Sequence, residues 1–258
     1  MSDGLLLNRT NAFSGPTGKG DPKLKLIKDI RLLESDVPNV DGNATPYYMG
    51  KLYLYDHMEC LDVIQRLLFL LRHRGFGFHT FDHLFVNFTP CVPHGEVRDV
   101  NRYNIREFSW YEYVDVGCDV TFFNHLAPEE KNAFVLDAIK KAALLKAPED
   151  QRQLFADTFS DVLREGSRLL LPYRQKGNQD YTVQILTRIN DDVDFIPLIR
   201  VTDKNGALKV QQELRCYGRD EFISQIGTVT IGKHSLRIVP RKNRYADFYN
   251  LKPIKLEW

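Results

Sequence analysis

Between positions 56 and 75 lies the segment that most restricts the fold. Cys60, Leu61, Val63, Ile64, Leu67, Leu68, Leu70 and Leu71 cover most of a helical circumference. A helix at the surface of a globular protein gathers its apolar residues in one stripe, so a helix apolar this far round must be buried on more than one side. Asp56 is placed to cap its N-terminus, Glu59 three residues on completes a capping-box pattern, and Gly75 follows the last turn. Whatever fold the chain adopts has to supply cover to this helix from several directions.

The remaining segments supply strands and a helical hairpin. Lys23 to Leu33 reads as a short edge strand, Lys51 to Tyr55 as a strand, and Phe76 to Phe88 as a strand or strand pair. Ala127-Pro128 opens a helix with proline where the missing N–H does no harm, and Ala147-Pro148 ends it. A second helix follows over roughly 149–170, and so short a connection predicts an antiparallel pair. The last ninety residues are β-rich. Asp203-Lys204-Asn205-Gly206 and Gly232-Lys233 predict two hairpins. The expected fold class is α+β, with a largely antiparallel sheet on which the helical hairpin and the N-terminal buried helix pack. Residues 1–22 read as a flexible arm and 23–258 as one domain, with a split near 126–148 as the alternative.

The stretch from Tyr111 to Phe123 carries the functional expectation. At a period of two, Val114, Val116, Cys118, Val120 and Phe122 fall on one side, and Tyr111, Tyr113, Asp115 and Asp119 on the other. This predicts a strand with one dry face and one face of tyrosines and carboxylates turned outward. Trp110, next to it, adds to the densest aromatic-and-charge segment of the chain, with Arg102, Tyr103, Arg106, Glu107 and Glu112. Interfaces favour such residues because they join large contact area to a polar handle. Trp110, Tyr111, Tyr113, Asp115 and Asp119 are therefore the candidate partner-binding residues. In general look the chain resembles the immunity proteins that bacteria make beside polymorphic or contact-dependent toxins, with Tyr111-Glu112-Tyr113-Val114-Asp115 presented on a sheet. That resemblance implies a tight complex with a cognate toxin, its acidic face opposing basic residues of the toxin, while a cytoplasmic location is expected from the lack of a secretory signal and of any CxxC pair.

Several chemistries fit less well. Gly15-Pro16-Thr17-Gly18-Lys19-Gly20 lacks both the first glycine and the Ser or Thr of a phosphate-binding loop, since Phe13 and Gly20 stand at those positions. His79, His83, Cys91 and His94 form a metal-like cluster without a known zinc spacing. Asp192, Asp194, Glu213 and Arg215 invite a nuclease reading, but arginine cannot replace the tunable lysine of that motif. Asp115 and Asp119 would lie ~13 Å apart along a strand, too far for glycosidase chemistry. No catalytic residue, metal ligand or cofactor is assigned. A metal-dependent hydrolase or nuclease, and a structural subunit of a phage or secretion assembly, stand as alternatives to a binding protein. The formal net charge of +1 gives no global reason to expect nucleic acid as the main partner, although a local basic patch stays open. The longest apolar run, Leu67 to Leu71, is far short of a membrane span, and no secretory signal is read at the start.

Overall fold

Helix α1 spans Glu59–His73 and is surrounded as its sequence requires. Cys60, Ile64, Leu67, Leu68, Phe69, Leu70 and Leu71 are all buried, and so are Asp62 and Arg66. The helix ends in a Schellman motif: the Phe76 N–H donates to the Leu71 carbonyl and the Gly75 N–H to that of Arg72. Gly75 sits at φ +81°, where a side chain would be strained. The computed structural model describes residues 24–38, 50–52, 59–100, 110–190 and 194–258. The glycine-containing arm, the caps expected from Asp56 and the Glu59 side chain, most of the Lys51–Tyr55 strand, and Arg102 to Glu107 lie outside the described residues.

One layer around α1 is a mixed sheet. Strands β1 (Lys25–Leu26) and β3 (Gly77–Phe78) form a small antiparallel pair at its margin. Strands β2 (Asp29–Glu34), β4 (His83–Thr89), β5 (Val97–Val100) and β6 (Tyr111–Gly117) take the order β2-β4-β6-β5. The β2–β4 and β4–β6 pairings are parallel, with α1 as the crossover from β2 towards β4, and β5 runs antiparallel along β6. Ile30, Leu32, Leu84, Val86, Phe88, Val114 and Val116 share one face and enter the main core. A short helix α2 (Val120–His125) then leads to the helical hairpin of α3 (Pro128–Lys146) and α4 (Glu149–Glu165). The Pro128 start and the break at Pro148 are as read from sequence, with the Glu130 carboxylate accepting from the Ala127 N–H at 2.9 Å.

The other layer is an antiparallel meander of β7 (Leu171–Gly177), β8 (Tyr181–Ile189), β9 (Phe195–Asp203) and β10 (Leu208–Glu213). The β9–β10 turn is built by Asp203, whose Oδ1 accepts from the Asn205 and Ala207 N–H groups, with Gly206 at φ +83°. After α5 (Arg219–Gln225), strands β11 (Thr228–Ile231), β12 (Ser235–Val239) and β13 (Ile254–Glu257) form a third sheet, with α6 (Arg244–Phe248) joining β12 to β13. Lys176 Nζ donates to the Val229 carbonyl at 2.6 Å and Arg174 to that of Gly227, which fastens this sheet to β7.

Helix α1 joins these parts. Phe69 meets the rings of Tyr173, Phe195 and Phe222 on the meander side. Arg66 Nε donates to the Ile189 carbonyl at 2.8 Å, and Arg72 Nε donates to the Ile27 carbonyl beside the mixed sheet at 2.8 Å. Arg74 reaches Asp161 of α4 at 2.6 Å. One cluster of buried side chains runs from Ile27 through α1 to Leu256. The fold is α+β, and its antiparallel pairings outnumber the two parallel ones among the described strands. Truncating the fully buried Leu68 removes packing at this junction. Leu68→Ala is expected to lower unfolding free energy by about 2–5 kcal/mol in urea titration, and a loss below about 1 kcal/mol would contradict the central placing of α1.

Candidate functional site

The segment singled out in the sequence does not lie on a wet face. Strand β6 is interior to its sheet, hydrogen-bonded to β4 on one side and β5 on the other. Its alternation survives, but both faces are covered: Tyr113 is buried, and Asp115 is only 2% exposed. Interior strands of parallel sheets are commonly covered on both faces, which an alternating pattern alone does not reveal. Asp115 accepts a hydrogen bond from Asn87 Nδ2 of β4 at 2.8 Å and lies opposite Arg98 of β5 in the register. It belongs to a buried polar pair rather than to an outward acidic surface.

The strand also ends earlier than predicted. Gly117 lies so close to the 93–96 loop that a Cβ there would fall 1.7 Å from the Pro93 carbonyl oxygen. Two residues on, Asp119 is the N-cap of α2, its Oδ1 accepting from the Phe122 N–H at 2.7 Å. Asp119 therefore leaves the sheet, and Val120 and Phe122 are helical rather than strand residues. An Asp three positions before its capped amide is the signal for this in the sequence.

Trp110 and Tyr111 do come together with Tyr113, through His83 and Phe85 of β4 and Arg31 of β2, which local alternation does not place beside them. Parallel register sets Phe85 opposite Tyr113 and His83 opposite Tyr111. Phe85 stacks on Tyr111 with ring centroids 5.0 Å apart and meets Tyr113 edge-on at 5.1 Å. Trp110 packs against Tyr111 at 4.7 Å and against His83 at 4.6 Å. Arg31 of β2 places its guanidinium 5.4 Å from the Phe85 centroid, in range for a cation–π contact. Phe85 and Tyr113 are buried yet stand apart from the main core, on the sheet face opposite Val86 and Val114. Trp110 remains 37% exposed and the Arg31 side chain 53%.

Beneath this cluster Asp82 holds its neighbours together. Its carboxylate contacts Lys28 at 2.6 Å and His83 Nδ1 at 2.5 Å, and the Asp82 and His83 N–H groups both donate to the Trp110 carbonyl. Burial pushes the Asp82 pKa up, but the hydrogen bonds and charges of Lys28 and His83 outweigh it and hold the group below the usual carboxylate range.

The other constellations come apart. His79 lies between β3 and β4 and His83 at the start of β4, whereas Cys91 and His94 follow its end. Asp194 is clamped by Arg215 at 2.5 Å and Glu213 pairs with Arg188 at 2.6 Å, so each carboxylate is held by its own arginine. Asp192 lies outside the described residues. Among the described residues no group of three His, Cys, Asp or Glu side chains is arranged to hold a metal ion.

A cleft of about 570 Å³ opens beyond the ends of β4 and β6, lined by Cys91, His94, Asp119 and Thr121 among others. Strand carboxyl ends are common ligand positions in open sheets. In this cleft His94 and Cys91 are already engaged. His94 Nδ1 accepts from the Asp119 N–H at 3.2 Å, and its ring stacks on Phe134 at 5.1 Å. The Cys91 thiol donates to the Asp36 carbonyl at 3.3 Å. The buried Cys118 thiol is pushed up to about 12, first by burial and then by the charges of Asp119 and Glu34. A thiol in that state is a poor nucleophile at neutral pH.

The α+β class and this aromatic cluster are what the molecule offers for comparison. Set against protein-family models, curated proteins and solved structures, the chain matches none.

Two measurements test the local chemistry. Of the four thiols, Cys91 alone is exposed, while Cys60, Cys118 and Cys216 are buried. Brief iodoacetamide treatment of native protein at pH 8 should modify Cys91 first, with the others labelled only on unfolding. Early modification of Cys118 would contradict its placing. For Asp82, the depressed folded pKa means that its stabilisation is present above the unfolded value of about 3.9 and is lost as pH falls through the lower folded value. The urea midpoint should therefore fall more steeply between about pH 5 and pH 2 in the native protein than in Asp82→Asn. Identical slopes would refute the assignment.

Proposed function

We propose that this chain is a non-catalytic binding protein that masks or inhibits a partner protein, and that it does so as an immunity-type protein acting on a cognate bacterial toxin. The observation that carries the reading is the cluster of His83, Phe85, Trp110, Tyr111 and Tyr113 with Arg31 laid over it. Its aromatic rings are pre-packed against each other, so a partner that covers the exposed edge of Trp110 gains contact area at little cost in side-chain entropy. Trp, Tyr and Arg are the residue types that dominate interface energetics when they are desolvated. The buried Asp82 carboxylate, through Lys28 and His83, braces the cluster from below.

This reading moves the contact surface from the one expected in the sequence. Trp110 and Tyr111 keep their proposed role and Arg31 joins them. Tyr113 and Asp115 support the surface from within the sheet, and Asp119 is assigned to the start of α2. The resemblance to immunity proteins directs the choice of partner to the product of the adjacent gene.

Binding to that product can be titrated by biolayer interferometry. Trp110→Ala and Arg31→Glu are each expected to weaken the complex about tenfold or more, a loss of roughly 1.4 kcal/mol, without changing the thermal midpoint by more than a few degrees. A complex of unchanged affinity in both variants would place the interface elsewhere. Failure of the wild-type chain to bind the adjacent product would remove the immunity reading itself.

A further inference from the structure

Charge is distributed unevenly along this chain. Residues 228–258 carry seven Lys and Arg against Asp247 and Glu257, a net of +5, whereas the whole chain carries +1. The third sheet turns Val229, Leu236, Ile238 and Leu256 inward to the core. Its outer face is exposed. There the register sets Thr230, Arg237 and Lys255 side by side across the three strands, with Thr228 further along β11. Lys255 contacts the exposed Glu257, a surface ion pair that a phosphate would displace at little cost. Lys233 and His234 occupy the β11–β12 turn at one end of the sheet. At the other end, the connection that contains α6 brings Arg241, Lys242 and Arg244, all exposed.

That same connection carries rings. Phe248 is 79% exposed, the highest value among the exposed large hydrophobic residues described. Tyr249 packs against it, with centroids 4.9 Å apart and planes near perpendicular. Arg244 lies over the Tyr245 ring at 4.7 Å and donates to its hydroxyl at 2.8 Å. Strands β11 to β13 thus show an exposed row of Arg237 and Lys255 with threonine hydroxyls beside it, further cations at both ends, and the exposed Phe248 ring in the connection at one end. A five-residue strand covers ~17 Å, so the track spans several repeats of an extended anionic chain.

We propose that the outer face of the β11–β12–β13 sheet, with α6, binds single-stranded nucleic acid: Arg237 and Lys255 neutralise phosphates, Thr228 and Thr230 donate to phosphate oxygens, and Phe248 stacks on a base. Backbone-tracking cations combined with aromatic platforms are the physical basis of sequence-tolerant single-strand binding. The small apolar area distinguishes this occupant from an anionic membrane. Phe248 is the sole exposed large hydrophobic residue of the described segment 228–258, too little apolar surface for insertion into lipid, whereas one ring is enough to stack on a base. This surface is separate from the aromatic cluster of the mixed sheet and does not depend on the function proposed above.

The test uses the full chain and a fluorescein-labelled ten-nucleotide oligodeoxythymidine, read by anisotropy. Saturable binding is expected at about 50 mM salt, weakening roughly tenfold or more by about 200 mM as a few phosphate contacts are screened. Phe248→Ala and Arg237→Glu should each weaken binding about tenfold. Lys141→Glu on α3, an equal change in net charge at a distance, should leave it unchanged. Matching thermal midpoints establish that the variants are folded. No saturable binding up to about 100 μM protein at the lower salt overturns the proposal. So does an equal loss in Lys141→Glu, or unchanged binding in both surface variants. Phosphatidylserine vesicles that bind the chain through Phe248 while the oligonucleotide does not would assign the face to a membrane instead and overturn it as well.

Discussion

Burial of α1 from several sides is the constraint on which the rest of the molecule depends. An isolated helix with so little polar surface has no solvated side to present, so its stability comes from what packs around it. On one side it is tied to the mixed sheet through Arg72 and the Ile27 carbonyl, and on another it enters the aromatic group of Phe69, Tyr173, Phe195 and Phe222. Arg66 is only 3% exposed and donates across to the end of β8. A buried guanidinium without acceptors would be costly, so this contact makes the position of the meander relative to the helix specific as well as favourable. The hairpin of α3 and α4 completes the enclosure, with Phe155 against Phe76 at 5.3 Å.

The same arrangement explains why the proposed contact surface lies where it does. With α1 and the helical hairpin drawn to one face of the mixed sheet, Phe85, Tyr111 and Tyr113 are left on the opposite face, outside the main core. Aromatic rings there satisfy one another and receive Arg31, while the polar Asn87–Asp115 pair takes up the interior of the same face further along the strands. Asp82 then couples the start of β4 to Trp110 through both its carboxylate and its backbone. The exposed part of the cluster is narrow, but it is rigidly backed, which is the property a tight protein interface requires.

How much of this is legible in the sequence follows from the range of the interactions. The end of α1 at its glycine stop, the Pro128 and Pro148 boundaries and the Asp203–Gly206 turn are set by neighbours a few residues apart, and each appears where the sequence placed it. The parallel pairing of β2, β4 and β6 is different in kind. It joins residues about thirty to fifty positions apart, so neither the burial of Asp115 nor the meeting of Phe85 with Tyr111 can be seen in a local alternation. Asp119 escapes the period-two reading for a local reason: its capping contact with Phe122 competes with continuation of the strand, and Gly117 has already weakened that continuation. His83 has the residue type of a metal ligand, whereas its neighbours are Asp82 and the Trp110 ring.

If α1 binds the two layers into one structure, they must unfold together. The two tryptophans report separately on them: Trp110 belongs to the aromatic cluster of the mixed sheet, and Trp258 contacts Tyr181 of β8 at 5.0 Å. The direct measurement is urea unfolding of the single-tryptophan variants Trp258→Phe and Trp110→Phe, each followed by fluorescence and by circular dichroism on the same sample. Coincident fluorescence and dichroism midpoints in both variants are predicted. A fluorescence transition in either variant that is separated from its dichroism transition would show that the layers unfold independently, and would contradict the role of α1 as the helix that unites them.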